Sequence, residues 1–367
     1  MGFGVRRPAG PAAAIPCERD KAMNRPFAFA DAIPVASDAG AILVKDQTGR
    51  DFRVPLNVEC DSPYFSAEDG QAFASYYREN GYVVLRNLIP ADHCAAVGGW
   101  FDVEVKPSTG YIYRQTTANP ERHVFSQGGH MMNPILNIQS LDQRCFANFR
   151  AAGLTLMTLP ALQAAVRQLI GENPTLVQSM FFEGNPVTWA HQDTYYLDGE
   201  RPGSMVGAWI ALEDIDAGAG RFFIYPGSHR LTIQRHSGEI GIAYHHDRYK
   251  DLVVDMICLR ELECRAPALR RGDVLFWSSR SIHGSLPTTR PECSRRSVTA
   301  HFIPESSRLL QFQSRVQRLS LQRICGMPVH MAKDLNRPLN RFLMQVETRF
   351  PKSFQALKKM AISRVTG

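Results

Sequence analysis

Apolar residues in the middle of the chain fall in short runs bounded by turn-forming residues. Residues 205–212, 221–225, 274–277 and 296–303 are such runs, and loops rich in Gly, Pro, Asp and Ser fill 197–203, 216–220 and 226–229. Runs of this length rich in Val, Ile, Phe and Trp predict strands, with turns at the breakers. No helical pattern alternates with them, so they are expected to pair antiparallel in a jelly roll or barrel. Upstream, 41–45 and 52–55 around the turn 46–50 predict a small hairpin. Ser66, with Glu68 and Asp69 close behind, predicts a helix start, the helix running to about Asn80. A strand is expected at 82–85, a helix at 90–101 opened by Pro90, two helical segments over 146–170 parted near Pro160, and a strand at 175–182. The fold class is therefore mainly β with flanking helices.

Two segments of the strand region carry candidate chemistry: Trp189-Ala190-His191-Gln192-Asp193-Thr194, and Arg280-Ser281-Ile282-His283-Gly284-Ser285 followed by Arg295-Arg296. Side chains alternate on a strand, so His191 and Asp193 share one face while Gln192 takes the other. His283 from a distant strand completes two imidazoles and one carboxylate, a set that suits non-haem ferrous iron and leaves coordination positions open. With 11 histidines and 35 acids in 367 residues, roughly one His-x-acid arises by composition alone. A second copy, His245-His246-Asp247, lacks apolar alternation and reads as a solvated loop or helix end. Context, rather than the triplet, singles out the first copy.

The ordered set His191-Gln192-Asp193, Gly207-Ala208-Trp209, Pro226-Gly227-Ser228-His229, His283-Gly284-Ser285 and Arg295 resembles the phytanoyl-CoA dioxygenase family of iron and 2-oxoglutarate dependent oxygenases. The resemblance spans roughly residues 64–304, including 77–85, which look like the family's opening helix and strand. It implies a double-stranded β-helix (cupin-like jelly roll), Fe(II) held by His191, Asp193 and His283, and 2-oxoglutarate chelating that iron, with O2 as co-reactant. By motif position Arg295 would clamp the distal carboxylate, and Ser285 and Trp209 would line the cosubstrate pocket. Physical reasoning stands beside this: an arginine fork binds a carboxylate through two parallel hydrogen bonds. On the last strand Arg295 shares a polar face with Ser297, Thr299 and His301, whereas Arg296 shares one with Val298, Ala300 and Phe302. Arg295 is preferred, with Arg296 and Arg290 as alternatives. Gln178 is a further candidate cosubstrate contact. Tyr195 and Tyr196 are candidates for substrate, and His229 and His301 are left to turn and strand packing or the pocket edge.

Related halogenases replace the metal-binding carboxylate with a small residue. Asp193 therefore points to hydroxylation of an aliphatic C–H in a small-molecule or lipid-like metabolite, with release of succinate and CO2. Desaturation, cyclisation or epoxidation by the same chemistry is the alternative; from another class, a non-catalytic jelly-roll binding protein.

Composition adds constraints. Residues 1–34, rich in Ala, Pro and Arg, lack the apolar core of a secretory signal and read as a disordered leader, with Met23 as an alternative start. Eight cysteines without Cys-x-x-Cys spacing favour reduced thiols and a cytoplasmic protein. No stretch reaches transmembrane length, and neither a Walker A nor a dinucleotide fingerprint occurs. Formal charge is +7, yet residues 305–367 hold 12 Lys/Arg against 3 acids, leaving about −2 for the rest. The windows 337–347 and 354–362 have helical apolar spacing. The expected organisation is a leader and hairpin over 1–63, a catalytic domain over 64–304 and a basic helical extension over 305–367. That extension is expected to pack on the barrel; the sharper alternative is a surface for an anionic partner such as a phosphorylated or carrier-bound substrate or a membrane face. Aromatic interleaving for single-stranded nucleic acid is lacking, so no nucleic-acid partner is expected.

Overall fold

The computed structural model describes residues 37–38, 40–58, 63–231 and 246–354. The expected leader, the start at Met23, Cys17, Cys60, His245 and the helix expected beyond residue 354 lie outside the described residues.

An eight-stranded sheet dominates, in the order Leu321–Ile324, Met327–His330, Pro174–Phe182, Ser297–Pro304, Val206–Ala211, Val274–Ser278 and Tyr82–Leu85, with Ile135–Leu136 also paired to Pro174–Phe182. Its pairings are antiparallel except that of Met327–His330 with Pro174–Phe182. A small sheet, Phe222–Ile224 with His283–Ser285, packs against one face, where Phe222 meets Trp209 and Trp277. The result is the mainly β, double-stranded β-helix core with flanking helices.

Alternation sorts the strand residues into two cores. Val206, Ala208, Ile210, Val274, Phe276, Val298 and Ala300 face outward onto Phe73, Val97, Phe149 and Val166 of the covering helices. Trp209, Ala211, Leu275, Trp277, Tyr82 and Val84 face inward with Phe222 and Ile224. Burial of both faces explains why 206–211 reads as an unbroken apolar run instead of an alternating one. Register then aligns the inner face in rows across the sheet. Gln178, His301, Gly207, Trp277 and Tyr82 form one, and Met180, Thr299, Trp209, Leu275 and Val84 the next. A bulge between His301 and Phe302 ends the pairing in phase beside the first row.

Three expectations need correction. The first helix runs Gly70–Asn80, four residues later than Ser66, because Ser66 and Asp69 close a turn on each other: Asp69 N–H donates to Ser66 O, and Ser66 N–H to Asp69 Oδ2. Residues 305–354 are not a helical extension. Leu309–Gln311 pairs Leu197–Gly199, and Leu321–Ile324 and Met327–His330 complete the sheet edge, so only Pro338–Arg349 matches the helix expected there. Cys325 and Gly326, at φ 46 and 82, form the two-residue left-handed loop that a tight hairpin demands, and helical periodicity does not reveal it. The hairpin Ala41–Lys45 with Asp51–Pro55 forms as expected, but Ile42, Val44 and Val54 pack with Ala190, Phe223 and Ile282 as part of the barrel's core.

Among the described residues no single helix is long and apolar enough to cross a membrane, and the cysteines are free thiols. The bent pair Gln143–Met157 and Pro160–Ile170 comes nearest, but Leu156, Met157, Leu162 and Val166 fill the outer core.

Gly81 joins the first helix to the barrel. At φ 79 its N–H caps Tyr77 O at 2.7 Å, and an added Cβ would lie 2.4 Å from His229 Nδ1 and 2.5 Å from Ser281 Oγ. Gly81→Ala is therefore expected to cost about 2 kcal/mol or more of unfolding free energy, from strained backbone and overpacking together. Urea titration with an unchanged m-value is the measurement, and a loss under about 0.5 kcal/mol would contradict this account.

Candidate metal centre

The two histidines meet through backbone pairing. His191 N–H donates to His283 O and His283 N–H to His191 O, both at 3.0 Å, so residues 92 positions apart sit directly opposite. Gly284 permits the crossing, since a Cβ there would lie 2.5 Å from Thr188 O and 2.8 Å from Trp189 O. The imidazoles stand side by side, centroids 4.4 Å apart. Each turns its Nδ1 to a carbonyl that can only accept, His191 to Trp189 O and His283 to Ser281 O, both at 2.9 Å. Nδ1 thus carries the proton, and both Nε2 lone pairs face a common point.

Gln192 remains extended and sends its amide the other way, to the carbonyls of Arg280 and Leu231. The chain then turns at Asp193–Tyr195, bringing Asp193 Oδ1 within 3.3 Å of His191 Nε2 and 3.6 Å of His283 Nε2. His191, Asp193 and His283 offer ligand atoms that all lie within 4.8 Å of one another. Asp193 Oδ2 is occupied elsewhere: Trp277 Nε1–H donates to it at 2.8 Å, and His301 Nε2 is 3.4 Å away. Gly207 makes room for this indole, because a Cβ would stand 2.2 Å from the Trp277 ring. Phe222 stacks on His283 at 5.3 Å, and the Tyr196 ring stands edge-on to His191 at 5.8 Å.

Electrostatics prepare the set for a cation. Against the cost of burial, His283, His191 and His301 hold the Asp193 carboxyl well below its usual range. Burial drives His283 down to about 4 despite Asp193, leaving a neutral imidazole that can coordinate at pH 7. For His191 burial is the largest single influence and favours the neutral ring, but the hydrogen bond and charge of Asp193 together with the Trp189 and His283 carbonyls outweigh it, and the net shift is upward.

Arg295 lies at 3% exposure beyond the end of Ser297–Pro304, with its guanidinium 5.4 Å from the Phe182 ring and 5.8 Å from that of Trp209. The guanidinium donates one hydrogen bond, from Nη1 to Gly220 O at 3.0 Å; Nε has no partner, and no acid pairs with it among the described residues. Burial alone lowers its pKa to about 9, so it remains cationic at pH 7. The alternatives are engaged: Arg296 binds Asp102 and Glu183, and Arg290 binds Asp216.

Trp209 forms the inner wall beside Arg295. Ser285 Oγ, on the small sheet, accepts Thr188 N–H at 2.7 Å. Gln178 shares the His301 row, one strand away. The two tyrosines part company: Tyr195 packs on Tyr249 at 4.7 Å in the core beneath the hairpin, while Tyr196 borders His191. His229 Nε2 meets Arg78 O at the end of the first helix and belongs to turn packing.

Sequence reasoning gives Trp277, Gly207 and His246 no role at the site. Strand parity puts the first two on the inner face, but only the register between Val206–Ala211 and Val274–Ser278 makes them opposite. Of the reading of 245–247 as a solvated loop or helix end, the helix end is borne out at His246, which is half-buried and not solvated. It opens the helix His246–Leu259, with Nε2 2.7 Å from Tyr196 Oη and its ring 4.9 Å from Trp189, while Asp247 points to solvent.

A family model described as phytanoyl-CoA dioxygenase (PhyH) matches residues 77–297, more than half of the sequence. The chain belongs to the phytanoyl-CoA dioxygenase family. It is similar to the peroxisomal phytanoyl-CoA dioxygenase of Bos taurus, 25% identical over an alignment of 243 positions that covers 62% of this chain and 66% of that protein. It is also similar to phytanoyl-CoA dioxygenase domain-containing protein 1 of Mus musculus, 26% identical over 193 residues, 43% of this chain and 65% of the relative. The match thus spans just under two thirds of these relatives' own length. Among solved structures, EctD from S. alaskensis with bound Fe aligns with 76% of this chain and 89% of its own at 18% identity and a TM-score of 0.48.

Within this family fold the donor set fits the implied cofactors. Two neutral-capable imidazoles and a carboxylate suit Fe(II) with positions left open, and a buried guanidinium without an acid suits a dicarboxylate such as 2-oxoglutarate. Trp277→Phe keeps a ring but removes the donor to Asp193, so divalent-metal affinity should fall by about 10–100-fold. Titration with Mn(II) or Co(II) measures it, and affinity unchanged within about twofold would show that the indole does not orient the carboxylate.

Proposed function

We propose that this chain is an Fe(II)/2-oxoglutarate-dependent dioxygenase that hydroxylates an aliphatic C–H of a small-molecule or lipid-like metabolite and releases succinate and CO2. One observation carries the reading: a three-sided ligand set and an acid-free buried arginine share the inner side of the same sheet. In the reading, His191, Asp193 and His283 hold the metal, and Arg295 takes the distal carboxylate of 2-oxoglutarate through paired N–H donors. Trp209 and Phe182 form the dry walls that strengthen that pair. Ser285, whose oxygen already accepts Thr188 N–H, keeps its hydroxyl proton to donate to the cosubstrate, and Gln178 supplies an amide from the facing strand.

Bound iron and 2-oxoglutarate supply the oxygen activation, coupled to oxidative decarboxylation of the cosubstrate; the protein contributes orientation and exclusion of water. Phe222 and Trp277 cover His283 and Asp193 from the interior. The substrate is read as approaching past Tyr196, whose half-buried hydroxyl and His246 make a polar edge next to His191. Asp193 retains the position that halide would need, which favours oxygen over halogen transfer.

Anaerobic addition of Fe(II) and 2-oxoglutarate should produce a visible charge-transfer band that neither component gives alone. Asp193→Ala and His283→Ala should each abolish the band and succinate formation; normal turnover in either variant refutes the ligand assignment. Arg295→Ala should leave metal binding intact while weakening 2-oxoglutarate by up to ~2–5 kcal/mol, because a carboxylate is then left unpaired in a dry site. An unchanged cosubstrate requirement in that variant transfers the role to another cation.

A further inference from the structure

The helix Pro338–Arg349 is amphipathic in the reverse sense. Leu339, Phe342, Leu343 and Val346 fall at i, i+3, i+4 and i+7, the spacing of one apolar face. In a helix packed on a core this face is inward. Here Leu339, Phe342 and Leu343 are 66%, 60% and 39% exposed, and Phe350 continues the stripe at 55%. The side that meets the protein is polar: Glu347 is buried and accepts a hydrogen bond from Tyr113 Oη at 3.0 Å, and Asn340 Nδ2 donates to Asp334 O at 2.8 Å. The helix rests on Pro120–Glu121.

Charge around the stripe has one sign. Over residues 331–354 the two acids, Asp334 and Glu347, are both 4% exposed, whereas Lys333, Arg337, Arg349 and Lys352 are exposed and Arg341 is half-buried. The sequence that follows, 355–367, adds Lys358, Lys359 and Arg364 and no acid. A protein partner offering only an apolar groove would leave this ring of cations unmatched. A bilayer containing anionic lipid matches both parts, acyl chains for the stripe and headgroups for the flanking lysines and arginines.

We propose that the Pro338–Arg349 helix is an interfacial membrane-docking element that lays Leu339, Phe342, Leu343 and Phe350 into an anionic lipid surface. The inference does not depend on the catalytic reading. The full chain should co-sediment with vesicles of phosphatidylcholine and phosphatidylglycerol in equal parts, bind phosphatidylcholine vesicles far less, and be released by salt. Leu339→Glu/Phe342→Glu should weaken binding by about tenfold or more, with unchanged unfolding midpoint. Arg349→Glu/Lys352→Glu should weaken it as well without touching the stripe. No binding to the mixed vesicles, equal binding to both kinds, or binding that survives the apolar double substitution overturns the proposal. So does self-association that the same substitution abolishes in a protein that ignores vesicles.

Discussion

The divided carboxylate of Asp193 is the interaction on which the site depends. One oxygen lies where the two Nε2 atoms converge, and the other is held by Trp277 Nε1–H with His301 Nε2 close by. A carboxylate buried to this extent is costly unless its oxygens are satisfied. The indole satisfies one and thereby aims the other. That arrangement sets demands far from residue 193. Trp277 must face inward, so the register of Val274–Ser278 is fixed. Position 207 must carry no side chain, because the indole occupies the space above it. The chain must also leave extended conformation right after Gln192, so that the acid swings toward His191 instead of continuing along a strand.

Arg295 stands out when compared with the other buried arginines. Arg114 spends its guanidinium on Asn133 O, Glu121 O, Met131 Sδ and His123. Arg221 reaches the carbonyls of Ile215, Pro55 and Leu56 and so ties the hairpin to the barrel. Arg296 faces outward into Asp102 and Glu183. Arg150, also buried, likewise makes one carbonyl bond, to Gln139 O, but the Asp334 charge favours its guanidinium, so each of these is accounted for by the fold. Arg295 makes one carbonyl bond between two aromatic rings, an arrangement that costs stability unless an anion completes it. The adjacent Arg295 and Arg296 thus differ, one proposed for a ligand and the other closing an ion network with Asp102 and the buried Glu183, and strand parity separates them.

Parity was also what the sequence made legible. Once 296–303 is read as a strand, Arg295 and His301 fall on one side and Val298 and Phe302 on the other, as the two cores bear out. The strands expected at 82–85, 175–182, 205–212 and 274–277 form within a residue at each end because breakers bracket them. Features set by pairing across the sheet were not legible: the Gly207–Trp277 contact, the bulge after His301 and the mutual backbone bonds of His191 and His283 need register, which no single segment encodes. His246 was missed because its partners, Tyr196 and Trp189, lie about 50 positions upstream. The edge strands Arg315–Gln317 and Leu321–Ile324 were missed because five of their seven residues face solvent, and the turn after the second is set by backbone conformation at Cys325 and Gly326.

The hairpin at 41–55 bears on how the metal loop is held. Gln47 Oε1 accepts Ala190 N–H at 3.4 Å, and Asp46 lies by Tyr225 Oη, so the hairpin braces the segment that leads into His191. Tyr249 braces the next residue, its hydroxyl and the backbone of Gln192 exchanging hydrogen bonds at 2.9 and 3.2 Å. From the other side the large sheet holds Asp193 through Trp277. The loop therefore has fixed contacts before, within and after its ligands. Tyr196 is the point at which that bracing changes character: its ring borders His191, yet its hydroxyl is tied to a histidine at the very start of the helix His246–Leu259. Ligand geometry set by the sheet and hairpin is thus separable from the polar edge set by that helix. On the proposed reading, substitutions at the edge alter which molecule is accepted while the metal set stays in place.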